Sequence, residues 1–99
     1  MTEATELTHD EATAECNALA QKLGEYQARQ IMGRVVAFGI EPDEMEEMVR
    51  ECVRDFLIHL MTNGADPNDA EVAAEWFYAS IVKEGACLAR EMTWEAGHA

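Results

Sequence analysis

The sequence predicts an all-α protein, a small bundle of three long helices, and three observations carry that expectation. Apolar residues recur at three- and four-residue steps over long stretches, the spacing of a helix with 3.6 residues per turn. The six glycines and two prolines stand mostly where a helix starts, stops or bends. β-Branched residues, which favour strands, are sparse. A chain of 99 residues holds one domain more readily than two. Its 48% hydrophobic content sets it apart from disordered chains of similar charge.

The domain is expected to span 8–92, with a flexible stretch at 1–7 and a loosely held tail at 93–99. Thr8 followed by Glu11 fits a capping box, with Leu7 placed as its hydrophobic staple, so a helix should begin near His9. Ala12, Cys16, Leu19, Leu23 and Tyr26 form one apolar stripe along it. The same register then meets Gln27 and Gln30, and the apolar residues return rotated as Ile31, Val35 and Phe38. A helix kinked or split near Gly24 accounts for that rotation, and two packed segments are the favoured form. The second of them, ARQIMGRVVAFGI, is apolar on nearly every side. Met32 and Val36 project away from Ile31 and Val35, an arrangement expected to be completed by another subunit. Gly39 suits the left-handed position that ends a helix.

Pro42 to Met61 reads as the central helix around which the chain is organised. Met45, Met48, Val49, Cys52, Val53, Phe56, Leu57, Leu60 and Met61 share one stripe, and charged residues occupy the opposite face. Pro42 stands in the first turn, and Asp43, Glu44, Glu46 and Glu47 lie near the positive end of the helix dipole. Asn63-Gly64 should close this helix, Asp66 should cap the next and Pro67 should occupy its first turn. The third helix is expected to run from Pro67 to about Glu91. Its inner stripe would be Ala70, Ala73, Ala74, Phe77, Ile81, Leu88 and Met92, with Gly85 allowing close approach. Val72, Trp76 and Ala79 lie on its other side. The segment HLMTNGADPN resembles the end of an ankyrin repeat. Neither the repeat period nor its T-P-L-H start occurs, so the likeness implies shared helix-stop and helix-start chemistry alone.

The formal net charge is −13 and the isoelectric point about 4.4. Phosphate backbones and anionic membrane surfaces are bound through Lys and Arg, so neither is an expected partner. No apolar run approaches the roughly 20 residues that span a bilayer. Nothing resembles a signal peptide, and Cys16, Cys52 and Cys87 form an odd, unpaired set, so a reducing cytoplasm is the expected location.

Chemistry is poorly served. Ser80 is the single serine and lies mid-helix without elbow glycines, a pattern that reads as a small residue at a helix contact. No glycine-rich phosphate loop occurs. Glu51, Asp55 and His59 share a helix edge, but their spacing differs from the Glu-x-x-His pairs of di-iron bundles and no second motif supports them. Asp66 to Glu71 lacks the glycine of a calcium loop. No cofactor, metal or catalytic residue is therefore expected.

What remains is surface for partners. Val72 and Trp76 lie outside the inner stripe, and tryptophan is enriched where interfaces are strongest. Met32 and Val36 add apolar area, and Glu44, Glu47, Glu51 and Asp55 form an acidic face. The expected function is a small acidic regulator, homodimeric, that inhibits a larger protein such as a transcription factor or nucleic-acid-handling complex. Anti-activators, anti-CRISPR proteins and antitoxins are of this type. Either the acidic face mimics a phosphate backbone or the apolar face occludes an interface. A structural subunit of a larger assembly and a carboxylate/His metal-binding helical protein are the alternatives.

Overall fold

A computed structural model describes residues 9–98, and the side chains of 11–92. The described chain is three helices, α1 (His9–Phe38), α2 (Pro42–Thr62) and α3 (Pro67–His98). The punctuation falls where the residues put it. At Gly39, φ is +64° and the amide donates to Val35 O at 2.9 Å, ending α1 in a left-handed turn. At the end of α2, Gly64 has φ +92° and donates to Met61 O, while Ala65 donates to Leu60 O; both carbonyls at the fraying end are thereby satisfied. The Asp66 carboxylate accepts from the Asn68 amide at 3.1 Å and caps α3. α1 begins at His9; the proposed capping box rests on Leu7 and Thr8, which lie outside the described residues, as does the stretch 1–7.

α1 and α3 form the tightest pairing. Ser80 meets Gln21, and Arg29 meets Glu84 at 3.5 Å, so residue numbers rise together along the two helices and they run parallel. α2 runs back against this pair. The innermost residues are Ala20, Ala28 and Ile31 from α1 with Ala70, Ala73, Ala74, Phe77, Ser80 and Ile81 from α3. Most are small, and small side chains let two helix backbones come close and gain dispersion contacts along their length. The crossing is tight at Gly24, where a Cβ would stand 2.6 Å from Phe77 O and 2.7 Å from Ser80 Cβ. There the Ser80 hydroxyl donates to Gln21 O at 2.6 Å, the helix-contact role its sequence position implied.

Four expectations are corrected. α1 is one unbroken helix through Gly24, not two segments; that glycine serves the crossing and does not end a helix. The stripe Ala12, Leu19, Leu23 and Tyr26 faces outward, with Leu19 58% and Tyr26 57% exposed, while Ala20, Gly24 and Ala28 turn inward. The shift of register at Gln27 is thus no shift of the buried face, which runs Cys16, Ala20, Gly24, Ala28, Ile31, Val35 at steps of three and four. Close approach occurs at Gly24 and not at Gly85, beside which a Cβ would meet nothing within 4 Å. Finally, α2 is not the centre of the fold, since none of its residues is buried. Met45, Met48, Val49, Cys52, Val53, Phe56 and Leu60 are half-buried against the α1·α3 pair. Phe56 stacks on Phe77 with ring centroids 4.4 Å apart and planes 16° from parallel.

In α3, the inner and outer faces fall as the periodicity places them: Ala70, Ala73, Ala74, Phe77 and Ile81 are buried, while Val72, Trp76 and Ala79 are exposed. Leu88 is half-buried and Met92 exposed, so the inner stripe opens toward its C-terminal end. The helix continues to His98, past the stop expected near Glu91. Among the described residues, no helix is long and apolar enough to cross a membrane.

Candidate functional site

The helices meet tightly along one part of their length and part along another, and the parting leaves a cleft. It has a volume of about 600 Å³ and lies where the second half of α1, the first half of α2 and the second half of α3 come together. The α1 wall is Ala28, Ile31, Met32 and Val35, residues on consecutive turns of one face. From α2 come Pro42, Met45 and Val49, with Glu46 and Arg50 at the rim. On α3, Tyr78, Val82, Gly85 and Ala89 follow one another at steps of three and four, beside Ala86 and Ile81. The lining is almost wholly apolar, and the small residues on α3 give the cleft its depth. Tyr78 and Val82 are each half exposed, so the cleft opens to solvent along that wall.

The two charged residues of the lining, Glu46 and Arg50, pair with each other. The Arg50 guanidinium lies 2.9 Å from Glu46 and 3.8 Å from Glu47, both on its own helix. Its charge is therefore engaged, and these exposed ion pairs add little stability. Asp43 and Glu44 extend the acidic run to the helix start, where the dipole favours them.

A second, smaller groove of about 320 Å³ runs between α1 and α2, lined by Tyr26, Gln27, Gln30, Arg34, Met48, Glu51, Cys52 and Asp55 among others. Cys52 Sγ sits 3.9 Å from Gln27 Oε1. Burial, reinforced by the negative charge of Asp55, pushes the Cys52 thiol pKa up, outweighing the opposing effect of Arg34. A thiol held protonated is a poor nucleophile and a poor metal ligand. His59 is turned toward Asn63, whose side chain also donates to His59 O at 2.7 Å. Among the described residues no three His, Cys, Asp or Glu side chains gather closely enough to hold a metal ion.

The residues expected to bind a partner are therefore distributed over separate surfaces. Met32 lines the large cleft, and Glu51 and Asp55 line the small groove. Glu44 and Glu47 are exposed on α2, and Val36 is exposed near the end of α1. Val72 and Trp76 are exposed on α3 but border neither cavity. Sequence reasoning missed the α3 wall of the cleft. Its signal was present in the 78–82–85–89 spacing, a second stripe beside the inner one. That stripe mixes Tyr and Val with Gly and Ala, which weakens it as a hydrophobic pattern.

Comparison with known protein families, with curated proteins and with solved structures finds no match for the chain.

Proposed function

We propose that this chain is a non-enzymatic acidic regulator that binds a larger protein and blocks the surface it occupies. One observation carries the reading: an open apolar cleft of about 600 Å³ on a chain with net charge −13. Exposed contiguous apolar surface in a small acidic protein is the usual mark of an interaction site. The acidity favours a partner with a basic surface, as nucleic-acid-handling proteins have, and steers its approach. A transcription factor or nuclease complex is the kind of target meant, in the manner of anti-activators, anti-CRISPR proteins and antitoxins. The proposed location is the cytoplasm.

Occlusion is favoured over imitation of a phosphate backbone. Arg50 is interleaved with Glu46 and Glu47 at ion-pair distance, which breaks the run of uncompensated negative charge that mimicry needs. The exposed pair Val72 and Trp76 lies apart from the cleft and supports a separate use, as the self-association face of a homodimer.

The test is recovery of a stoichiometric protein from the native host by the tagged chain, washed at rising ionic strength. Occlusion predicts a complex that survives from about 0.05 to about 0.5 M salt, across which the screening length falls severalfold. Loss of the complex over that range supports mimicry, and recovery of no protein refutes the regulator reading. Sedimentation of wild type against Trp76→Ala tests the dimer separately.

A further inference from the structure

We infer that the large cleft receives a cationic amphipathic helix, an inference that rests on the partner-binding reading above and names the segment bound. The α3 wall runs from Tyr78 to Ala89, about 16 Å of helix at 1.5 Å per residue, the length of three turns. Few polar groups line the cavity, so a segment seated there must satisfy its own backbone hydrogen bonds. A helix does so, whereas an extended segment needs a sheet edge, and none exists among the described residues.

The opening along Tyr78 and Val82 leaves one side of any occupant in water, which calls for one apolar and one polar face. Depth beside Gly85 and Ala86 admits large side chains such as Leu or Phe, and the flexible thioethers of Met32 and Met45 adapt to their shape. The charged residues of the lining, Glu46 and Arg50, pair with each other, so the sign of the polar face follows from the chain as a whole, whose formal net charge of −13 draws in a cationic segment. A second copy of this chain is the less favoured occupant, because it brings a further −13 to a chain of the same charge.

The experiment uses the full chain and three synthetic peptides of about 18 residues, five turns of helix. One is an amphipathic Leu/Lys helix, one a scramble of the same composition, and one a Leu/Glu analogue. The Leu/Lys helix is expected to bind one to one, at least about tenfold more tightly than either control. Ala86→Trp, which fills the cleft from an exposed position, and Val82→Lys, which puts a cation at its mouth, should each weaken binding about tenfold or more. Ala18→Trp, the same bulk on an exposed part of α1 outside the cleft, should leave it unchanged, with circular dichroism confirming that all variants fold. Equal binding of the scramble reduces the effect to net charge and overturns the inference. So does an undiminished affinity in Ala86→Trp, or a dimer of the chain that Ala86→Trp dissociates. If the host protein is recovered, and lost with Ala86→Trp, while the Leu/Lys helix fails to bind, the helix class falls and the regulator reading stands. If no host protein is recovered by the wild-type chain, it is the regulator reading that falls.

Discussion

The crossing of α1 and α3 at Gly24 makes a sharp prediction, because one substitution should have opposite signs at two glycines. In Gly24→Ala the new methyl would stand 2.6 Å from Phe77 O and 2.7 Å from Ser80 Cβ. Ordinary contact begins near 3.4 Å, so the overlap with a backbone oxygen is about 0.8 Å. That oxygen belongs to a packed helix and cannot swing aside. The helices must part locally, at the roughly 1–3 kcal/mol typical of overpacking. Their parting stretches the 2.6 Å bond from Ser80 to Gln21, a further loss of about 0.5–1.5 kcal/mol. Alanine's better helix propensity returns about 1 kcal/mol. The net effect is a destabilisation of about 2 kcal/mol. At Gly33 a Cβ meets nothing within 4 Å, so propensity alone acts and Gly33→Ala should stabilise by about 1 kcal/mol. Thermal unfolding followed by helical circular dichroism reads both. At about 4–8 °C per kcal/mol for a chain of this size, Gly24→Ala should melt well below wild type and Gly33→Ala above it. Equal stabilisation by the two alanines would refute the close crossing and, with it, the inward face assigned to α1.

Other consequences can be measured alongside. Phe77→Ala empties a site that is 3% exposed and should cost about 3–5 kcal/mol in urea unfolding. Phe56→Ala, on the half-buried partner ring, should cost less, about 2 kcal/mol, because part of its surface is already wet. Ser80→Ala should lose about 0.5–1.5 kcal/mol with the hydroxyl's bond to Gln21 O. The raised pKa of Cys52 predicts that its alkylation in the folded protein lags that of the unfolded chain near neutral pH. Because folding raises this pKa, its contribution to stability is complete below the ordinary thiol value near 8.5. It is lost as pH rises through the folded value, so Cys52→Ala should flatten the alkaline limb of the stability profile.

The helix class and the stops and starts around both turns were legible because they are local. Left-handed Gly39 and Gly64, the Asp66 cap and the first-turn prolines act within a few residues of themselves. The faces of α3 were legible for a related reason: its large apolar residues and its buried residues largely coincide at Phe77 and Ile81. In α1 they do not coincide. Leu19, Leu23 and Tyr26 carry the hydrophobicity, yet Ala20, Gly24 and Ala28 carry the contact. The cleft was illegible for the same reason, being bounded by residues from three helices, several of them glycine or alanine.

The sequence by itself determined that this chain is all-α over its described length, where α2 begins and ends and where α1 stops and α3 starts, and that its surface is strongly acidic. Only the tertiary structure decided which face of α1 is inside, that α2 rests half-buried on a parallel α1·α3 pair, and where an apolar cleft stays open. Local hydrogen bonding and the dipole of a helix act along the chain and leave their mark in neighbouring letters. Close packing rewards the absence of a side chain at the point where two backbones meet, and that point is set by residues more than fifty positions away: Gly24 by Phe77 and Ser80.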